Sequence, residues 1–395
     1  MKGADNPMTE NDPILQELKS IAKSRVSRRT VLAGAGAVGA GSLLAACGGG
    51  GSKVDTNTIR WGNWTLYLDY DSTKKVYPTL EEFTKQTKIK VKYLEDYNDN
   101  DEFYGKVQGQ LKLNKDIGYD LICPTDWMAA RYIRLGYAQK LDKANIPNSK
   151  NILPALASVP YDTDRSYSLT WQGIMGGFTW NKEKLPKGIH TLDELFAPAN
   201  KGKIEVLTEL RDTVGVIMLA QGVDITKFTK DQYYNALDFL QKKIADGFIR
   251  QVKGNDYKED LISGDAVAVI GWSGDAFQLA AENNGKFEFA IPESGGTISA
   301  DNFIIPSTSK NKANVEKLIN YYYEPEVAAK VAAYVNYITP VQGAQAAMEK
   351  VDPTLVNNEL IFPTAKTQSM LHVFRNLTPA EETEFTDAFQ KATGN

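Results

Sequence analysis

The stretch Ala266–Pro306, AVAVIGWSGDAFQLAAENNGKFEFAIPESGGTISADNFIIP, constrains this chain more than any other. Ala266–Gly271 is a short Val- and Ile-rich run, which reads as a buried parallel strand. It breaks at Trp272-Ser273-Gly274-Asp275, and helical spacing follows through Glu282. Phe287–Ile291 reads as a second strand, and the turn Pro292–Gly296 leads into a third apolar segment carrying Asp301. Strand, helix and strand in this rhythm imply an open α/β sheet, in which ligands sit beyond the carboxyl ends of strands. Trp272, Asp275 and Asp301 fall at such ends. One aromatic face and two carboxylates suit an organic ammonium ion, through cation–π contact and charge-assisted hydrogen bonds. The same residues also read as ordinary structure, with Trp272 packing a strand end, Asp275 capping a helix and Asp301 solvating a loop.

The amino-terminal 46 residues have a different character. A polar leader ends in Ser27-Arg28-Arg29-Thr30, and a Gly/Ala-rich run then reaches Leu44-Ala45-Ala46-Cys47. A basic region, a modest apolar core and small residues before the cysteine make a secretory signal. The paired arginines resemble a twin-arginine export signal. Leu44–Cys47 followed by Gly48 resembles a bacterial lipobox, which makes Cys47 the expected lipidation site. The run is too short and too Gly-rich to read as a membrane span. Export leaves an extracytoplasmic domain, in the periplasm or on the outer face of the membrane, anchored through Cys47. Cys123 is the second of only two cysteines, so no internal disulfide is expected once Cys47 is lipidated. The position of Cys123 at the end of an apolar strand reads as a buried small hydrophobe.

Residues 47–57 read as a tether. Beyond it, Thr58–Trp64, Ile89–Tyr93 and Tyr119–Pro124 read as strands separated by helices over Tyr77–Gln86 and Asp101–Leu111, with Thr125-Asp126 capping a helix over Trp127–Leu135. Tyr167–Trp180 is apolar and extended, suited to cross from one lobe to another. A second α/β set follows, with a strand over Lys203–Leu207 and helices over Val214–Ala220 and Gln232–Asp246. Further helices span Asn314–Tyr323 and Pro325–Val335. Thr378-Pro379-Ala380-Glu381 is a capping box leading a last helix to about Lys391.

Several chemistries find no support. The formal net charge is −4, with no basic patch of the kind nucleic acid demands. The two histidines, His190 and His372, are not at metal-ligand spacing from other ligating residues, so no metal is expected. Gly271-Trp272-Ser273-Gly274-Asp275 approaches a hydrolase nucleophile elbow, but Asp275 stands where that turn needs a small residue. No phosphate loop or dinucleotide fingerprint is present, and no cofactor is expected. Aromatics are the positive signal. Trp61, Trp64, Tyr67, Trp127, Trp171, Trp180, Trp272 and Tyr337 all fall near expected strand ends and loops, either as packing or as one aromatic-lined face.

Ile59–Tyr67 (IRWGNWTLY) resembles the opening of the polyamine (spermidine/putrescine) solute-binding proteins of ABC importers. Tyr119–Trp127, Leu192–Lys203, Arg211–Gly215, Gly271–Ala276, Pro292–Pro306 and Ile319–Ala329 match in the same order. The resemblance implies an α/β, two-lobed periplasmic-binding-protein fold of type II, each lobe a mostly parallel sheet flanked by helices. Two crossover segments join the lobes, and the ligand cleft lies between them. Residues 58–171 with 301–350 would form one lobe and 172–300 with 351–395 the other. Trp64, Tyr67 and Trp127 would wall the methylene chain of an amine, and Thr125 and Asp126 beside them join the ligand-binding set. Trp272 would be the main aromatic face, Asp275 and Asp301 would bind ammonium groups, Glu209 and Asp212 would offer further acceptors, and Tyr337 would close one side. Two positions depart from the family. Leu66 stands where an acid or polar residue is frequent, and Ser299 where a second tryptophan is frequent. Arg375 falls near a position of polar contact. The expected protein performs no chemistry. It takes a small cationic amine and hands it to a membrane permease. Alternatives are another cationic nitrogen compound, ferric iron held by Tyr321-Tyr322-Tyr323, or a secreted hydrolase.

Overall fold

The computed structural model describes residues 57–394. The export signal over 1–46, Cys47 and the tether up to residue 56 lie outside the described residues. Strand β1 (Thr58–Trp64) pairs in parallel with β2 (Lys90–Tyr97) on one side and β3 (Leu121–Ile122) on the other. The helices between them start where the chain supplies the local signals. Pro78 opens Pro78–Thr87, and Asp99 caps Asn100–Lys112 by accepting from the amides of Asp101 and Glu102. Strand β3 is shorter than the apolar run Tyr119–Pro124, because only Leu121 and Ile122 find ladder partners.

A second parallel set mirrors the first. Strand β5 (Ile204–Leu207) pairs with β6 (Ile249–Lys253) and β7 (Ala268–Trp272), with helices Leu210–Ala220 and Lys230–Ala245 connecting β5 to β6. Strand β4 (Ser168–Asn181) joins the two sets. All fourteen of its residues are buried, as in a strand covered on both faces. Its first half pairs antiparallel with β9 (Gly296–Ile304) and its second half with β7 and β8 (Phe287–Ala290).

The result is one continuous sheet in the order β2-β1-β3-β9-β4-β7-β5-β6, where two separate mostly parallel sheets were expected. Its outer strands are parallel and its middle is antiparallel, because β4 is long enough to carry the ladder from one set to the other. A one-residue bulge at Trp171 shifts the β4–β9 register and turns that ring into the core. Strand β10 (Leu371–His372) adds to β9.

The buried apolar residues fall into two main groups. The first contains Trp61, Trp171 and Phe303 with helices Asp126–Arg134, Lys312–Tyr322 and Pro325–Val335. The second contains Phe178, Trp180 and Ile270 with helices Leu210–Ala220 and Lys230–Ala245, and it is closed by Phe385 and Phe389 of Pro379–Thr393. That last helix begins with the capping box Thr378–Glu381, both reciprocal bonds being formed. Helix Ala344–Val351 and Ile361 form a small cluster with Ala329 and Ala332. Trp61, Trp171 and Trp180 belong to these cores and face no cleft. Cys123 is buried and receives the Trp61 indole N–H at 3.2 Å. No helix among the described residues is long and apolar enough to cross a membrane.

Candidate functional site

Between the two cores lies a narrow cleft whose walls come from both. Trp64, Tyr67, Thr125, Asp301 and Tyr337 approach from the first and Glu209, Asp212 and Asp275 from the side of the second, while Trp272 at the end of β7 packs its ring against the first. Each arrives for a local reason. Trp64 ends β1, and its indole N–H donates to the Cys123 carbonyl at 2.9 Å, which fixes the ring. Trp272 ends β7 and donates to Asp212 Oδ2 at 2.8 Å. Helix Ser273–Glu282 starts immediately after it, and Gly274 there leaves room for Tyr337. A Cβ at Gly274 would lie 2.3 Å from that ring. Trp64 and Trp272 meet edge-on with centroids 6.3 Å apart, and Tyr67 and Tyr337 at 5.0 Å.

The carboxylates fall into two kinds. Glu209 accepts from the Trp127 indole at 2.9 Å and faces the Arg211 guanidinium at 3.4 Å. Asp275 is saturated. Its Oδ2 accepts from Tyr257, and its Oδ1 accepts from Tyr337 at 3.1 Å and from the Lys258 ammonium at 3.1 Å. Asp275 therefore carries a lysine partner where the sequence offered a helix cap, and helix Ser273–Glu282 has no side-chain cap at all.

Asp212 and Asp301 are different, because their partners are neutral. Asp212 accepts from Thr297 at 2.5 Å and from Trp272. Asp301 accepts from Thr125 at 2.7 Å. The Tyr67 hydroxyl also favours its anion, although that geometry falls short of a full hydrogen bond. Both carboxylates are almost wholly buried.

Burial without a cation pushes these acids up. The Asp301 carboxyl rises to about 8, chiefly by desolvation, with Thr125 and Tyr67 only partly opposing it. Asp212 is raised for the same reason. Glu209 rises to about 7, burial outweighing the pull of Arg211 while Asp212 adds repulsion. A cleft of buried acids this reluctant to ionise is one that gains most from a bound cation.

The remaining expected residues sit otherwise. Thr125 makes no helix-cap bond; its hydroxyl turns to Asp301 and accepts from Asn100 at 2.9 Å. Asp301 lies inside β9, opposite Gln172, and not in a loop. Asp126 is spent on Tyr161, Asn302 and the Ala300 amide, outside the cleft lining. Trp127 is also outside it. Its ring lies between Arg211, 3.9 Å from the centroid, and Arg131 at 5.0 Å, and it holds Glu209 from outside the lining. Leu66 occupies a left-handed turn with φ 59°, held by Glu95 and Gln278. Arg375 is outside the cleft lining, against Phe228 and Glu381.

Tyr321, Tyr322 and Tyr323 diverge. Tyr322 meets Thr79, Tyr323 donates to the Thr170 carbonyl, and Tyr321 packs on Phe83.

Five further lining residues, Thr65 among them, escaped the sequence reading. Asp99 caps a helix that opens on the cleft and accepts from Thr208 at 2.7 Å. Asn100 holds Thr125 in place, and Ile174 of β4 lies opposite Ser299 of β9. Asn255 presents a buried Oδ1 with no partner. The run Asn98-Asp99-Asn100-Asp101 at a strand end was the available signal; Asn255, in a turn between elements, offered none.

The acidic, aromatic cleft invites comparison with known proteins. The chain is 29% identical over 345 residues to the spermidine/putrescine-binding periplasmic protein of Escherichia coli K12, covering 86% of this chain and 91% of that protein. It is 26% identical to the putrescine-binding periplasmic protein PotF of the same organism, covering 89% of this chain and 95% of that one. A solved structure described as a spermidine/putrescine ABC transporter of Listeria monocytogenes superposes with a TM-score of 0.72 at 26% identity, over 85% of this chain and 98% of that one. The lipoprotein Tp0655 of Treponema pallidum shares the two-lobed fold with a TM-score of 0.70 at 18% identity, over 86% of this chain and 100% of that one. Residues 79–362 match the bacterial extracellular solute-binding proteins, and the chain belongs to that family.

Proposed function

We propose that this protein is an extracytoplasmic receptor that binds a polyamine in the cleft and delivers it to the permease of an ABC importer. One observation carries the reading: Asp212 and Asp301 are buried carboxylates with only neutral donors, set among aromatic faces and beside the unpartnered Asn255 oxygen. An alkyl diammonium ion supplies what each lacks. Its charges meet the carboxylates, its N–H groups meet the free acceptor, and its methylenes lie on Trp64, Tyr67 and Trp272. Each ammonium–carboxylate contact contributes about 1.5–3 kcal/mol and each aromatic face about 0.5–2 kcal/mol. Two of each reach micromolar affinity after the entropy of association is subtracted. Closure is a hinge motion between lobes at residues 58–171 with 301–350 and 172–300 with 351–395, driven by the ligand's preference for the closed state. The polyamine binders named above support the ligand class. Cys47, in its lipobox-like setting, is the lipid anchor of this reading.

Titration calorimetry with putrescine, spermidine and choline tests the ligand. Binding of a polyamine and not choline is expected, and binding of none of the three ends the polyamine reading. Cys47→Ser tests the anchor. The variant is expected in the soluble fraction, and its retention in salt-washed membranes would exclude lipid as the attachment.

A further inference from the structure

We propose that Lys258 is a built-in counter-ion that limits the cleft to dicationic ligands; this rests on the polyamine reading above. Five carboxylates line the cleft. Asp99 is met by the amino terminus of its helix, where the Asp101 and Glu102 amides and the positive end of the dipole offset part of its burial. Glu209 is met by Arg211. Asp275 is met by the Lys258 ammonium at 3.1 Å, and that lysine side chain is only 11% exposed. Two carboxylates remain whose side-chain partners are only neutral, Asp212 and Asp301, and each pairs with a ligand ammonium by giving up its proton.

A buried cleft is neutral at lowest cost when the ligand brings as many charges as the site leaves unpaired. A diamine matches that number. A triamine brings one more, and the corner that would receive it is held by the protein's own ammonium. Lys258 also stays where it is for a mechanical reason. It stands next to Tyr257, whose hydroxyl is locked between Asp275 Oδ2 and the Trp272 amide, so one segment places both partners of the carboxylate.

Affinities for putrescine and spermidine, measured by calorimetry on the wild type, Lys258→Gln and Asp275→Asn, test this. Lys258→Gln frees Asp275 and is expected to raise spermidine affinity relative to putrescine by about tenfold. Asp275→Asn leaves the lysine charge uncompensated and is expected to weaken both amines by about tenfold or more. A purely structural pair would weaken binding in both variants without changing the ratio. A spermidine-to-putrescine ratio unchanged in a folded Lys258→Gln overturns the inference. If Lys258→Gln gives no cooperative melt, unchanged affinities in Asp275→Asn overturn it instead. Wild-type protein that binds neither amine refutes the polyamine reading, a separate outcome.

Discussion

Arg134 donates to Glu382 at 2.9 Å, and that bond ties a helix seated on the first core to one seated on the second. Arg131 and Arg211 reach the other oxygen of Glu382 at 3.3 and 3.6 Å. Arg211 also covers the Trp127 ring, whose indole holds Glu209. One carboxylate thus gathers three guanidinium groups.

Glu382→Gln removes the charge that holds these arginines together. Ligand binding is expected to weaken roughly fivefold, because the closed arrangement loses part of its advantage. The salt dependence of affinity should shrink with it. Calorimetry at low and high ionic strength measures both, and an unchanged affinity with unchanged salt response would show that Glu382 is only packing.

Asp301 makes stability and binding respond to pH in opposite directions. Its folded-state value of about 8 lies above the unfolded carboxylate value of about 4. Between those values the folded state holds the extra proton, so the empty protein loses stability as pH rises through that window. Asp301→Asn is expected to flatten that loss, raise the melting temperature of the empty protein near pH 8, and abolish most amine binding. Cation binding to the wild type at pH 7 should release protons, visible as a buffer-dependent calorimetric enthalpy. A buffer-independent enthalpy would mean that Asp301 is already ionised.

Gly176 guards the Asp212 side of the cleft. A Cβ there would lie 2.2 Å from Thr297 Oγ1 and 3.0 Å from Asp212 Oδ1. Gly176→Ala should therefore push Thr297 off Asp212, cost about 1–3 kcal/mol of stability and weaken amine binding. Thermal melts and calorimetry check it, and wild-type values in both would show that the strand yields without disturbing the acid.

The elements were legible where their signals are local. Pro325–Val335 is read residue for residue, since Pro325 opens it and Tyr337–Pro340 breaks it just beyond. The capping box at Thr378, the run before Trp272 and the crossing strand Tyr167–Trp180 were equally visible. Apolar period and cap chemistry act within a few residues, so a sequence displays them.

The residue types of the site were also present in the sequence, but their partners were not. Asp275 and Asp301 looked alike, two acids near strand ends. Tertiary structure separates them by giving Asp275 a lysine seventeen positions upstream and Asp301 a threonine 176 positions upstream. It likewise withdrew Asp126 into Tyr161 and Asn302, set Trp127 between two arginines, and joined the expected two sheets through β4 and β9. The sequence by itself determined the order of strands and helices and the acidic, aromatic character of the cleft. Only the tertiary structure decided which acids are left without a cation, because desolvation and ion pairing depend on neighbours in space that chain order does not reveal.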